Sequence, residues 1–170
     1  MANILIVDGY NMIGTWPELK QLKETDLESA RDLLIDMMAE YQAFTGDHVI
    51  VVFDAHLVPG TEQVFQKHQV QVIFTNENET ADEKIEQLAG QLNDVFTHVH
   101  VATSDYAEQK AIFGQGALRK SARELLNDIQ KIKKGIAEKI EQANKKRRPA
   151  KIKLSPELKE IFEKWRRGKE

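Results

Sequence analysis

Asn3–Asp8 reads NILIVD, four apolar residues in succession closed by an aspartate. A strand with one solvated face alternates apolar and polar residues, whereas a strand covered on both faces stays apolar, so this run predicts an inner strand of a parallel sheet. His48–Asp54 (HVIVVFD) has the same character, and His98–Thr103 (HVHVAT) repeats it with less bulk. Val70–Thr75 (VQVIFT) alternates in part and reads as a strand nearer an edge. Between the first two runs, Leu27, Ala30, Leu33, Leu34, Met37, Met38 and Tyr41 recur at helical spacing, opened by Thr25 and Glu28 in capping-box spacing and stopped near Gly46. Thr80 and Glu83 repeat that box ahead of Ile85, Leu88, Ala89 and Leu92. Strands alternating with helices predict a three-layer α/β domain with right-handed crossovers.

After Asp105 the strand pattern ceases. Ala117 to about Lys146 reads as one long helix with Leu118, Ala122, Leu125, Ile129, Ile132, Ile136 and Ile140 on a stripe and Lys, Arg and Glu on the other face. A break is expected at KKRRPAK, Lys145 to Lys151. Ser155 and Pro156 would then cap a short terminal helix carrying Leu158, Ile161, Phe162 and Trp165. The expected organisation is one domain, 1–170, with 117–170 as a basic helical extension.

The chain has 170 residues, 41% hydrophobic and 30% charged, enough to bury a core while remaining soluble. No apolar stretch reaches the ~18 residues that cross a bilayer, and no secretory leader pattern precedes the first strand, so a cytoplasmic protein with no membrane partner is expected. With no cysteine, disulfides, thiolate zinc sites and cysteine nucleophiles are excluded. The net charge of −3 hides an asymmetry: residues 1–109 hold 5 Lys and Arg against 19 Asp and Glu, a balance of −14, and residues 110–170 hold 19 against 8, a balance of +11. Such a division suggests a basic surface for a polyanion and an acidic part that needs cations before a polyanion can approach.

Ligands of open parallel sheets bind outside the carboxyl ends of the strands. Asp8 and Asp54 end two strands, Asp105 follows a third in TSD, and Asp82 lies in the first turn of its helix, pointing to the same edge. Asp54 is the weakest of the four, since FDAH also suits a plain turn, and Asp82 would favour a helix N-terminus whether or not it binds anything. Together they are costly: like charges ~4 Å apart repel by about 4 kcal/mol at an effective dielectric near 20, which calls for protons or bound cations. Oxygen ligands without Cys or a suitably spaced His pair favour Mg²⁺ or Mn²⁺, which can activate water against a phosphodiester. Asn11, three residues beyond Asp8, could hold a phosphate oxygen without adding charge. Gly114 and Gly116 suggest a glycine turn into the long helix, but no P-loop or dinucleotide fingerprint is present and no nucleotide cofactor is expected. Arg119, Lys120 and Arg123 follow that turn as candidate phosphate contacts. Lys145, Lys146, Arg147, Arg148, Arg166 and Arg167, with Trp165, have the composition of a nucleic-acid surface.

VDGYN (Val7–Asn11), FDAH (Phe53–His56), ETADE (Glu79–Glu83), ATSD (Ala102–Asp105), FGQGALRKSARELL (Phe113–Leu126) and FEKWRRG (Phe162–Gly168) occur in an order and spacing that resemble the NYN-domain proteins of YacP type, relatives of the PIN-like nucleases. The resemblance covers essentially the whole chain. It implies a PIN-like, Rossmann-like fold and a metal-dependent endoribonuclease that associates with the ribosome and cuts mRNA there, and a monomer is expected. It further implies that Asp8, Asp82 and Asp105 hold the metal, that Asn11 supports the scissile phosphate and that Glu83 is an accessory acid. Two other classes fit parts of the pattern. A haloacid-dehalogenase-like phosphatase needs a second acid two residues after its nucleophilic Asp, where Tyr10 stands, and a silent ribosome or RNA-binding module would use the basic helix without chemistry.

Overall fold

The computed structural model describes residues 2–55 and 63–152. The chain forms two compact units, Met1–Gln130 and Lys131–Glu170. In the first, β1 (Ala2–Asp8), β2 (His48–Phe53), β3 (Gln63–Lys67), β4 (Val70–Phe74), β5 (Thr97–Ala102) and β6 (Leu118–Lys120) make one sheet in the order β3-β4-β2-β1-β5-β6. Every neighbouring pair is parallel except the β3–β4 hairpin. The helices are α1 (Gly9–Thr15), α2 (Pro17–Thr25), α3 (Leu27–Thr45), α4 (Ala81–Leu92), α5 (Tyr106–Gly114) and α6 (Ala122–Ile152), whose first turns belong to this unit.

The apolar runs explain the layering. Ile6, Ile50, Val52, Ile73, Val99 and Val101 form one core with Ile85 and Ala89 of α4 and Ile112 of α5. Their alternates Leu5, Val7, Val49, Val51 and Phe53 are buried on the opposite face, where α3 packs on β2 and β4. Each such side chain removed from water contributes about 1.5–3 kcal/mol. β1 lies between β2 and β5, so the crossovers leave it in opposite directions, and the carboxyl end of β1 is the switch point where α/β sheets open a crevice.

Several elements differ from the sequence expectation. The long helix begins at Ala122, not Ala117: Leu118–Lys120 instead pair with His100–Ala102, and the Thr103 N–H donates to the Lys120 carbonyl at 3.1 Å. Gly116, at φ +82°, therefore turns the chain into β6, and Leu118 is 52% exposed while Ala122, Leu125 and Ile129 are buried. The strands do not cease at Asp105, and α5 fills the interval that the sequence reading left without an element. No break occurs at Lys145–Lys151: helical backbone runs through Gly135 and Pro149 to Ile152. Asp26, not Thr25, caps α3, its carboxylate accepting from the Ser29 N–H at 3.3 Å, and Gly46 at φ +78° ends it as expected. Thr80 caps α4 through the Glu83 N–H at 3.1 Å. The terminal helix expected from Ser155, with Trp165, Arg166 and Arg167, lies outside the described residues, as does His56.

Within the second unit, the α6 stretch from Lys131 is rich in lysine and leaves Ile136 and Ile140 40% and 58% exposed. Lys145 pairs with Glu141 one turn earlier at 3.5 Å. Among the described residues, no helix is long and apolar enough to cross a membrane.

Candidate metal centre at the carboxyl edge of the sheet

Asp8 is both the last residue of β1 and the N-cap of α1, its Oδ1 accepting from the Asn11 N–H at 3.4 Å. Gly9 allows this tight turn. A Cβ there would overlap the Phe53 ring, so only glycine lets α1 start against the sheet. Asp82 stands in the first turn of α4, which is anchored to β2 by Asp54: its Oδ2 accepts from the Ala81 N–H at 3.4 Å. Glu108 enters from the first turn of α5 and is 2% exposed. One carboxylate oxygen from each of Asp8, Asp82 and Glu108 lies within 4.8 Å of the others.

The sequence reading placed Asp105 in this trio and did not include Glu108. In the structure Asp105 stands beside it: its Oδ1 accepts from the Glu108 N–H at 3.4 Å, and its charge bears on both Asp8 and Asp82. A readable signal for Glu108 existed. Asp105 and Glu108 are spaced like Thr80 and Glu83, so the same capping-box rule marks a helix start there and an acid in its first turn. Asn11 uses its side-chain oxygen to accept from the Ser104 N–H at 2.9 Å, tying α1 to the loop after β5. Thr103 continues that loop inward, accepting from the Asp105 N–H at 3.0 Å and donating to Glu108 Oε2 at 2.8 Å. Glu83 remains on the solvated turn of α4, its charge felt by Asp82.

Protonation follows from burial. Desolvation, reinforced by the Asp8 and Asp82 charges, pushes the Glu108 carboxyl up to about 9. Desolvation also raises Asp8 to about 6, helped by Asp82 and Asp105 and opposed by hydrogen bonding from Glu108 and Asn11. Asp82 rises for the same first reason, then through Asp105, Asp54 and Glu83. At neutral pH Glu108 keeps a proton and shares it with Asp8. Glu108 Oε1 is buried, and among the described residues no other group donates a hydrogen bond to it. Its neighbours are carboxylates, which only accept, so that position is filled by Glu108's own proton or by a cation. Three carboxylate oxygens at this spacing, held together by a proton that a cation can replace, fit a hard divalent ion such as Mg²⁺ or Mn²⁺.

The expected phosphate contacts distribute differently. Lys120 pairs with Asp128 of α6 and lies 6.0 Å from the Tyr41 ring centroid. Arg119 shares β6 with it, and Arg123 is in the first turn of α6. Lys146, Arg147 and Arg148 have helical backbone in the second unit.

A six-stranded, mostly parallel α/β domain with carboxylates gathered at its switch point suits a nuclease-type domain. Comparison with known proteins sharpens the class. The family model described as the YacP-like NYN domain matches residues 5–167, and the chain belongs to that family. It is 60% identical over 166 residues to the uncharacterized protein YacP of Bacillus subtilis (strain 168), covering 98% of each chain. Two crystal structures of Rae1 (YacP) from Bacillus subtilis are similar in fold. One, at 61% identity, covers 97% of this chain and 95% of that one with a TM-score of 0.74. The other, a tryptophan-to-leucine mutant at 57% identity, covers 98% and 96% with a TM-score of 0.76.

Proposed function

We propose that this protein is a metal-dependent endoribonuclease that associates with the ribosome and cuts mRNA there by phosphodiester hydrolysis. The observation that carries the reading is the meeting of Asp8, Asp82 and Glu108 oxygens from three separate segments within 4.8 Å, with Glu108 Oε1 buried and, among the described residues, without a donor. Family membership supports the nuclease class.

In this reading Asp8, Asp82 and Glu108 would hold the ion, with Asp105 and Asp54 as the charges behind them. A divalent ion bound there supplies charge neutralisation and an activated water for in-line attack on phosphorus. The chain's own groups do the rest. Thr103 fixes the Glu108 carboxylate, Asn11 and Asp105 fix the loop that carries it, and the proton on Glu108 leaves when a cation takes its place. The acidic edge repels free RNA, so docking through the lysine- and arginine-rich C-terminal stretch, with its excess of +11 over residues 110–170, supports delivery to ribosome-engaged mRNA by raising local concentration.

The test is RNA cleavage by the full chain, with and without translating ribosomes, in Mg²⁺ and then in EDTA, beside Asp82→Ala. Cutting that needs the metal and is lost in the folded, ribosome-binding variant is the expected result. Undiminished cutting by Asp82→Ala would remove the assignment, and ribosome binding without any cutting would favour a silent RNA-binding module.

A further inference from the structure

A row of rings ends the strands next to Gly9, the residue after Asp8, and the metal centre itself does not use it. Phe53 and Phe74 end β2 and β4 and stack with centroids 5.2 Å apart at 25°. Tyr10, two residues past Asp8, closes on Phe53 at 5.0 Å and 53°. The two phenylalanines are core residues, 0% and 9% exposed, whereas Tyr10 is only half-buried. Arg31, in the second turn of α3, completes the row: its guanidinium carbon lies 5.9 Å from the Phe74 centroid, and Nη1 donates to the Tyr10 hydroxyl at 3.3 Å. The Tyr10 hydroxyl is within electrostatic reach of Asp54, and Asp54 in turn accepts from the N–H next to Asp82. The Tyr10 end of the row is thus linked, through Asp54, to the start of the helix that carries Asp82.

Arg31 is held there as a cation with donors to spare. Of the five N–H donors in its rigid fork, one serves Tyr10. Among the described residues no carboxylate closes a salt bridge on it, although its charge is felt by Asp26 at the start of α3. The nearby Phe74 ring and the bond to Tyr10 restrict the guanidinium, so less side-chain freedom is left to lose on contact with an anion. At an edge built from Asp8, Asp54, Asp82, Asp105 and Glu108, a strand of phosphates meets repulsion beyond what one divalent ion neutralises. A guanidinium hydrogen-bonded to Tyr10, on the Asp54 side of that edge, offsets it and gives the strand a direction.

Resting on the nuclease reading above, we propose that Arg31, seated on the Tyr10–Phe53–Phe74 shelf, is a substrate-positioning residue that grips a backbone phosphate of single-stranded RNA flanking the one presented to the acid pocket. It acts on where the strand lies, and the chemistry stays with the carboxylates.

The experiment is single-turnover cleavage by the full chain in Mn²⁺, on a short single-stranded RNA and on ribosome-engaged mRNA, as a function of enzyme concentration and of salt. Wild type, Arg31→Ala, Arg31→Lys and Tyr10→Phe are compared, with thermal unfolding and Mn²⁺ affinity measured for each. Arg31→Ala is expected to raise the half-saturating concentration about tenfold, the loss of one charged hydrogen bond, with the limiting rate within about twofold. On free RNA the log–log dependence of affinity on salt should become shallower by about 0.7, one phosphate contact. Arg31→Lys should keep the salt slope and recover part of the affinity, and Tyr10→Phe should fall between Arg31→Ala and wild type. An Arg31→Ala variant that matches wild type in half-saturation on the substrates that wild type cuts overturns the proposal, as does one with lowered stability and limiting rate but an unchanged salt slope. Wild type that leaves both RNAs uncut would instead fail the nuclease reading, and this inference with it.

Discussion

The carboxyl edge of the sheet and the helical stretch beyond Lys131 carry charge in opposite ways. At the edge, Asp8 and Glu108 are 8% and 2% exposed and arrive from β1 and α5, and their carboxyls are driven up to about 6 and about 9 by burial. In the helical stretch, Lys145 and Glu141 are 72% and 68% exposed and pair within one helix. Burying a charge without a partner is expensive, whereas a solvated charge costs almost nothing, so the edge holds a proton until a cation takes its place. The second makes a surface whose value lies in its sum, with no single residue indispensable.

That contrast orders the expected effects of substitution. The largest belongs to the edge: Asp8→Asn or Asp82→Ala should lower RNA cutting about a hundredfold or more, read as single-turnover rates, with unfolding midpoints unchanged or higher. Next is Gly9→Ala, whose new Cβ would overlap the buried Phe53 ring. Overpacking of that kind costs about 1–3 kcal/mol, to be measured by urea unfolding, and it should reduce cutting as well because Gly9 seats Asp8.

Glu108→Gln follows, with a sign that depends on pH. The folded protein holds the Glu108 proton up to about 9, while an unfolded glutamate releases it near its ordinary 4.5. Between those values the folded state binds more protons, so this group's stabilising contribution, complete below about 4.5, is lost as pH rises through the window. Gln keeps the shape and donates to Asp8 at any pH. In EDTA the variant should therefore be more stable than wild type at pH 8 by about 1 kcal/mol or more, with the difference closing toward pH 4.5. A purely structural glutamate would show no such crossover in urea unfolding at the two pH values. The smallest effect is Lys145→Ala, which should change stability by less than about 0.5 kcal/mol. Only combined replacement of Lys145, Lys146, Arg147 and Arg148 should weaken ribosome binding, with a shallower salt dependence.

Much of this was legible in the chain. Continuous apolar runs located β1, β2, β4 and β5, because a parallel strand covered on both faces tolerates little else, and strand ends put Asp8, Asp54 and Asp105, and a helix start Asp82, at one edge. What escaped detection lacked a periodic signature. The β3–β4 hairpin turns through His68 and Gln69, both left-handed at φ 53° and 71°, where a sequence reader looks for glycine or asparagine. β6 is three residues long and owes its existence to pairing with β5, and α5 is too weakly amphipathic to announce itself. Missing α5 meant missing Glu108, since a glutamate gains meaning only once its helix is known to start at the pocket. Asn11 was legible as a neighbour of the site, but not its bond to the Ser104 N–H, which depends on two segments 93 residues apart in the chain.

The most direct measurement is a Mn²⁺ titration of wild type and Glu108→Gln by calorimetry at pH 7.5. Wild type should bind with release of close to one proton, and Glu108→Gln should bind at least about tenfold more weakly with that release abolished. Equal affinity and equal proton release in the two proteins would mean that Glu108 is not a ligand and that the three carboxylates do not share an ion.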